Sequence, residues 1–138
     1  MQFNLKTIVL TSLLILGSIN VLAEQEELLQ KIIQPKNQIY IFISFSMPDS
    51  ALKSYFAEAE QKDIRLIMQG LKNNSFLETK AKADEIGISF DIDPNLFEKY
   101  QITSVPIVVI DNNQGKVKKL AGHIGLNDAL QIMQEEQM

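Results

Sequence analysis

From residue 38 onward, the spacing of apolar residues alternates between strand-like and helix-like periods, and the order of the changes outlines an architecture. Ile39 to Phe45 is a β-rich, mainly apolar run without strict alternation, as suits a strand covered on both faces. Pro48 to Gln61 carries Ala51, Leu52, Tyr55, Phe56 and Ala59 at the spacing of a helix with one buried face. Asp63 to Met68 predicts a second strand, closed by Gly70. Ser75 to Ile86 predicts a second helix, capped by Ser75 with Glu78 three residues on and stopped by Gly87. Ile88 to Ile92 is a short extended piece, and Pro94 to Tyr100 a helical turn or two opened by Asp93 or Asn95. Val105 to Ile110 is a strand with a proline near its start, Asp111 to Gly115 a turn, and Lys116 to Leu120 the returning strand of an antiparallel hairpin. Leu126, Ala129, Leu130 and Met133 mark a closing helix over Leu126 to Gln134. The order βαβα, connector, ββα predicts a three-layer α/β/α domain around a central mixed sheet, with a parallel pair at its start.

The region before that domain has a different character. Lys6 precedes a mainly apolar stretch from Thr7 to Ile19, and Val21-Leu22-Ala23 fits a small-residue cleavage site, so residues 1–23 are expected to be a secretory signal peptide. The apolar stretch is shorter than the roughly 20 residues needed to cross a bilayer, which disfavours a retained anchor. Residues 24–37 form a leading segment, in which Leu28, Leu29, Ile32 and Ile33 predict a short helix ended by Pro35. Residues 38–138 form the folded domain.

Composition narrows the chemistry. The 138-residue chain has 46% hydrophobic residues, enough for one packed core, and contains neither cysteine nor tryptophan. Disulfides, thiolate metal sites and thiol catalysis are therefore excluded within the chain. Lys6 is the only charge in residues 1–23, so cleavage would take the formal charge from −4 to −5. Such an acidic surface argues against coating nucleic acid, which requires clustered Lys and Arg.

The element order resembles the thioredoxin fold. The tetrad Ser46-Met47-Pro48-Asp49 falls where thioredoxins carry Cys-Gly-Pro-Cys, and the segment Phe97 to Pro106 resembles the one that leads into their cis-proline. Thiol–disulfide exchange needs a thiolate, which neither Ser46 nor Asp49 can supply. A closer resemblance covers most of the domain. The blocks Ile41 to Leu52, Gln69 to Phe76, Asp93 to Phe97 and Val105-Pro106, in that order, resemble the TrbC family of F-type conjugative pilus assembly proteins. The resemblance implies a periplasmic, thioredoxin-like protein without redox cysteines, working in a type IV secretion system beside a TraW-like partner.

Several residues carry two readings. The tetrad can be a helix start, with Ser46 as N-cap, Pro48 in the first turn and Asp49 completing a Ser-x-x-Asp box. It can also be one side of a docking surface, with an exposed Met47. Pro106 can mark a tight strand entry, and the thioredoxin resemblance implies instead a cis bond, with Ser104 and Val105 offering a free backbone edge for strand addition. Gly70 to Ser75 reads as a loop and cap or as a recognition element; its Asn73-Asn74-Ser75 is formally a glycosylation sequon. Asp91 and Asp93 read as solvated caps, His123 as a lone surface residue, and Lys116, Lys118 and Lys119 as guards of an edge strand. No nucleophile–base pair, phosphate loop, metal cluster or cofactor motif emerges. The expectation is thus a non-catalytic periplasmic assembly factor whose partner-binding residues are Ser46, Met47, Pro48, Asp49, Ser104, Val105 and Pro106. The alternative is a periplasmic chaperone or isomerase-like protein holding clients across the same groove.

Overall fold

The computed structural model describes residues 5–33 and 36–135. The chain divides into two units between Lys36 and Asn37. The described residues of the first include one helix, α1 (Leu5–Ile33). The helix expected over residues 24–36 is therefore the second part of a longer one that begins inside the expected leader, and Pro35 lies outside the described residues. Leu28, Leu29 and Ile32 on it are exposed. Among the described residues no helix is long and apolar enough to cross a membrane.

The second unit runs β1 (Gln38–Ile43), α2 (Asp49–Glu60), β2 (Arg65–Met68), a short 3-10 turn at Lys72–Asn74, α3 (Phe76–Ile86), β3 (Asp91–Ile92), α4 (Pro94–Lys99), β4 (Ile107–Asp111), β5 (Val117–Ala121) and α5 (Leu126–Glu135). The strands form one sheet in the order β3-β2-β1-β4-β5. β1 pairs parallel with β2, with Ile43 opposite Met68, and antiparallel with β4, with Phe42 opposite Ile107. β1 is thus the central strand. Tyr40, Ile41, Phe42 and Ile43 are all buried because helices cover both faces, which is why the run lacks alternation.

Successive β1 side chains point into different layers. Ile41 and Ile43 join Leu52, Tyr55 and Ala59 of α2 and Leu126, Ala129 and Met133 of α5 in one core. Tyr40 and Phe42 join Phe97, Tyr100, Ile102 and Val109 in the other. Phe42 meets Phe97 edge-on, with ring centroids 4.8 Å apart, in a contact worth about 0.5–1.5 kcal/mol beyond area burial. That contact ties α4 to the middle of the sheet.

Local chemistry accounts for the element ends. Ser75 Oγ accepts from the Glu78 N–H at the start of α3, and Gly87 ends the helix with φ +70°, as the sequence predicts. Of the two candidates for opening α4, Asp93 is the cap, accepting from the Leu96 N–H. β2 begins later than expected because Asp63 takes φ 55° in a turn whose next residue, Ile64, donates to the Ala59 carbonyl.

The Ser46 cap is overturned. Pro48 occupies the N-cap position, and its carbonyl accepts from Ala51 and Leu52. Ser46 lies two residues too early to reach the orphan N–H groups, and its hydroxyl instead meets Ser44 Oγ at 3.0 Å. Asp49 is the first helical residue. There it complements the helix dipole and bonds Lys82 Nζ at 2.8 Å.

Candidate functional site

The parallel strands β1 and β2 end level with each other, and both chains turn away from the sheet beyond Ile43 and Met68. A crevice of about 510 Å³ opens there. One wall is Ile43, Ser44 and Phe45; a second is Met68 to Lys72; the third is Phe97 with Ile102 to Val105. Such a crevice beyond the carboxyl ends of strands is where open α/β sheets bind ligands.

The expected site residues divide around this groove. Ser104 and Val105 line it, and the bond between Val105 and Pro106 is cis, with Pro106 buried behind them. Thr103, Ser104 and Val105 form no backbone hydrogen bond among the described residues, so their N–H and C=O groups are free to pair with another chain. The tetrad does not line the groove; Ser44 and Phe45, just before it, do. Ser46, Pro48 and Asp49 are exposed beside it. Met47, expected to be exposed, is only 6% exposed. Its N–H donates to the Ser44 carbonyl in a turn at the end of β1, and its side chain packs into the core with Leu52 and Tyr55.

The segment from Gly70 to Ser75, whose first three residues belong to the second wall, is built more firmly than an ordinary loop. Thr79 is buried, and its Oγ1 accepts from the Lys72 N–H at 2.9 Å while donating to the Ser75 carbonyl at 2.7 Å. Asn73 and Asn74 both take positive φ, and Asn73 Nδ2 donates to Glu78 Oε2 at 2.7 Å. Lys72 and Leu71 therefore reach the groove from a pinned backbone.

A second cluster holds the opposite wall, and nothing in the sequence reading anticipates it. Asp111 is buried at the end of β4 and receives Tyr100 Oη at 2.7 Å, Lys99 Nζ at 3.1 Å and the Asn113 N–H at 2.7 Å. These donors, the Tyr100 hydroxyl first, hold its carboxyl below the ordinary carboxylate range. Burial pushes the Tyr100 hydroxyl up, and hydrogen bonding to Tyr100 and Asp111 raises Lys99. On α2, Tyr55 Oη donates to the Ile124 carbonyl at 2.8 Å, and burial raises its pKa as well. Both sets of hydrogen bonds join separate elements and so brace the fold.

The remaining candidates are structural. β5 is an edge strand, but Lys118 Nζ donates to the Met133 carbonyl at 2.6 Å and Lys119 to the Tyr100 carbonyl, so two of the three expected edge guards are tied to the domain itself. Asp91 bonds Arg65 at 2.8 Å, and His123 is exposed. Among the described residues no group of three His, Cys, Asp or Glu could hold a metal ion.

The sheet order, the flanking helices and the cis proline beside the groove define a thioredoxin-like domain from which the cysteines are absent. Solved structures agree on the fold. The exposed lipoprotein thioredoxin Etrx1 of Streptococcus pneumoniae strain TIGR4 aligns with a TM-score of 0.52 at 18% identity, covering 76% of this chain and 88% of its own. The dsbF of MTB, in mixed oxidized and reduced forms, aligns with a TM-score of 0.50 at 12% identity, covering 73% of this chain and 81% of its own. Residues 41–133, more than half of the chain, match the type-F conjugative transfer system pilin assembly proteins, and the chain belongs to this TrbC family. It is also 32% identical over 104 residues to the periplasmic protein TrbC of Escherichia coli strain K12, covering 71% of this chain. The chain spans about half, 48%, of the length of that relative.

Proposed function

We propose that this chain is a periplasmic, non-catalytic assembly factor for an F-type conjugative pilus, acting by contact with other assembly proteins at the groove beside Pro106. The observation that carries the reading is the unpaired main chain of Thr103–Val105 facing an open crevice, in a family whose work is pilin assembly. An extended partner segment adding to this backbone would gain main-chain hydrogen bonds, with side-chain pockets supplying selectivity. The exposed Ser46, Pro48 and Asp49 would form the outer rim. A TraW-like assembly protein is the partner the family resemblance favours. Residues 1–23 would direct export and be removed after Ala23, a step checked by N-terminal sequencing of the exported protein.

Gly70 provides a clean test. A Cβ built there meets nothing within 4 Å, and the residue lines the groove, so Gly70→Trp fills the crevice without entering the core. The variant should melt like the parent, lose co-purification with the TraW-like protein, and fail to restore pili and conjugative transfer in a deletion strain. Full restoration of pili by a groove-filled variant would overturn the reading. Suppression of aggregation of several unrelated clients, abolished by the same substitution, would favour the chaperone alternative.

A further inference from the structure

The groove is neutral except at one point. Of the residues that line it, Lys72 alone carries a charge. The others are apolar or uncharged polar groups, such as Phe45, Leu71 and Val105 on facing walls. Lys72 Nζ stands 3.7 Å from Glu78 Oε2, too far for a hydrogen bond, and that oxygen already accepts from Asn73 Nδ2 at 2.7 Å. Its own carboxylate neighbour therefore satisfies it only weakly. Its backbone, by contrast, is held at both ends, by Thr79 Oγ1 on the N–H and by the Ser75 N–H on the carbonyl.

We infer that the groove selects an extended partner segment with apolar side chains and a carboxylate placed opposite Lys72. This deepens the docking role proposed above and rests on it. The apolar walls favour apolar side chains, and the free backbone of Thr103–Val105 favours an extended conformation. The ammonium, carried on that pinned backbone, then discriminates by charge, attracting a carboxylate and repelling a cation at the same position. The whole chain is acidic, at −4, so long-range repulsion opposes an acidic partner while the local contact favours it. At about 0.15 M salt the screening length is roughly 8 Å, which suppresses the distant acidic groups and leaves the contact pair.

The test uses the purified protein and three short end-capped peptides of alternating threonine and valine. They differ only in a central glutamate, glutamine or lysine. Fluorescence anisotropy at about 0.15 M salt should rank them glutamate, glutamine, lysine, with about 3- to 10-fold between first and last, as suits one partly exposed charge pair. Lys72→Met should flatten the ranking, and Lys72→Glu should invert it. Equal affinities of the three peptides, or a ranking unchanged in Lys72→Met, overturns the charge selection. If those equal affinities vanish in Gly70→Trp, the groove reading stands and only the charge inference fails. If no peptide binds, the inference fails, and intact pilus assembly in Gly70→Trp then shows that the docking role has failed with it.

Discussion

Tyr100→Phe removes one hydroxyl from the buried cluster that holds the third groove wall. Asp111 Oδ2 loses its donor at 2.7 Å and keeps Lys99 Nζ at 3.1 Å, while Oδ1 keeps the Asn113 N–H at 2.7 Å. A hydrogen bond to a charged group is worth about 1.5–3 kcal/mol, and the surviving donors put this loss near the lower end, about 1.5–2 kcal/mol. For a domain of about 100 residues that corresponds to a fall in Tm of roughly 6–15 °C. Urea unfolding followed by circular dichroism gives the free energy, and calorimetry gives the Tm. The pH dependence supplies a second check. Asp111 is held below its ordinary value of 3.8, so its contribution is fully present above that pH and is lost as the pH falls through the lowered folded value. Because Tyr100 is the largest cause of the lowering, the gap between parent and variant should be widest near neutrality and shrink in acid. In an Asp111→Asn background the Tyr100→Phe effect should also shrink, since the two residues act as a pair. A variant within about 0.5 kcal/mol of the parent at neutral pH, or a gap that persists unchanged into strong acid, would refute the assignment.

Three further outcomes follow from contacts already described. Ser75→Ala should cost about 1 kcal/mol in urea unfolding because it removes a real cap, whereas Ser46→Ala should stay within about 0.5 kcal/mol because Ser46 caps nothing. Thr79→Val, nearly the same in shape, should cost about 1–3 kcal/mol by leaving the Lys72 N–H without its partner, and Thr79→Ser should recover most of the loss. Met47→Asp should give an unfolded or aggregating protein, read by the loss of a cooperative melt, because it places a carboxylate among Leu52, Tyr55 and Ile43.

What the sequence disclosed and what it hid divide along the range of the interactions. The Ser75 cap and the Gly87 stop depend on residues within one helical turn and read directly from the chain, and the α4 cap narrows to Asp93 or Asn95, of which the structure takes Asp93. The tetrad failed locally for a specific reason. Ser-x-x-Asp matches a capping box in one frame, but Pro48 leaves the helical conformation itself, and Ser44 captures the Ser46 hydroxyl. The same turn reverses the direction of Met47, so a side chain flanked by exposed residues on both sides ends in the core. Ser104 and Val105 came from the thioredoxin resemblance, not from periodicity. The wall facing them, Met68 to Lys72, is brought there only by the pairing of β1 with β2.

Asp111 shows the limit most sharply, because in the sequence it is the first residue of a polar hairpin turn. Only the placement of α4 across the sheet, anchored by Phe97 on Phe42, sets Tyr100 over the end of β4 and makes that carboxylate a buried acceptor. The same placement connects the cluster to the groove. Gln101, in left-handed conformation at φ 52°, turns the chain immediately after Tyr100, and Ile102 donates its N–H back to the Phe97 carbonyl at 2.8 Å. The Tyr100 carbonyl also accepts from Lys119 on β5. Residues 102–105 therefore leave a fixed point, and the free backbone beside Pro106 owes its position to a network in which none of its own residues takes part. In a thioredoxin-like crevice without thiols, one wall is thus pinned through Thr79 and the other through Asp111, with the unpaired backbone of Thr103–Val105 lying between Ile102 and Pro106.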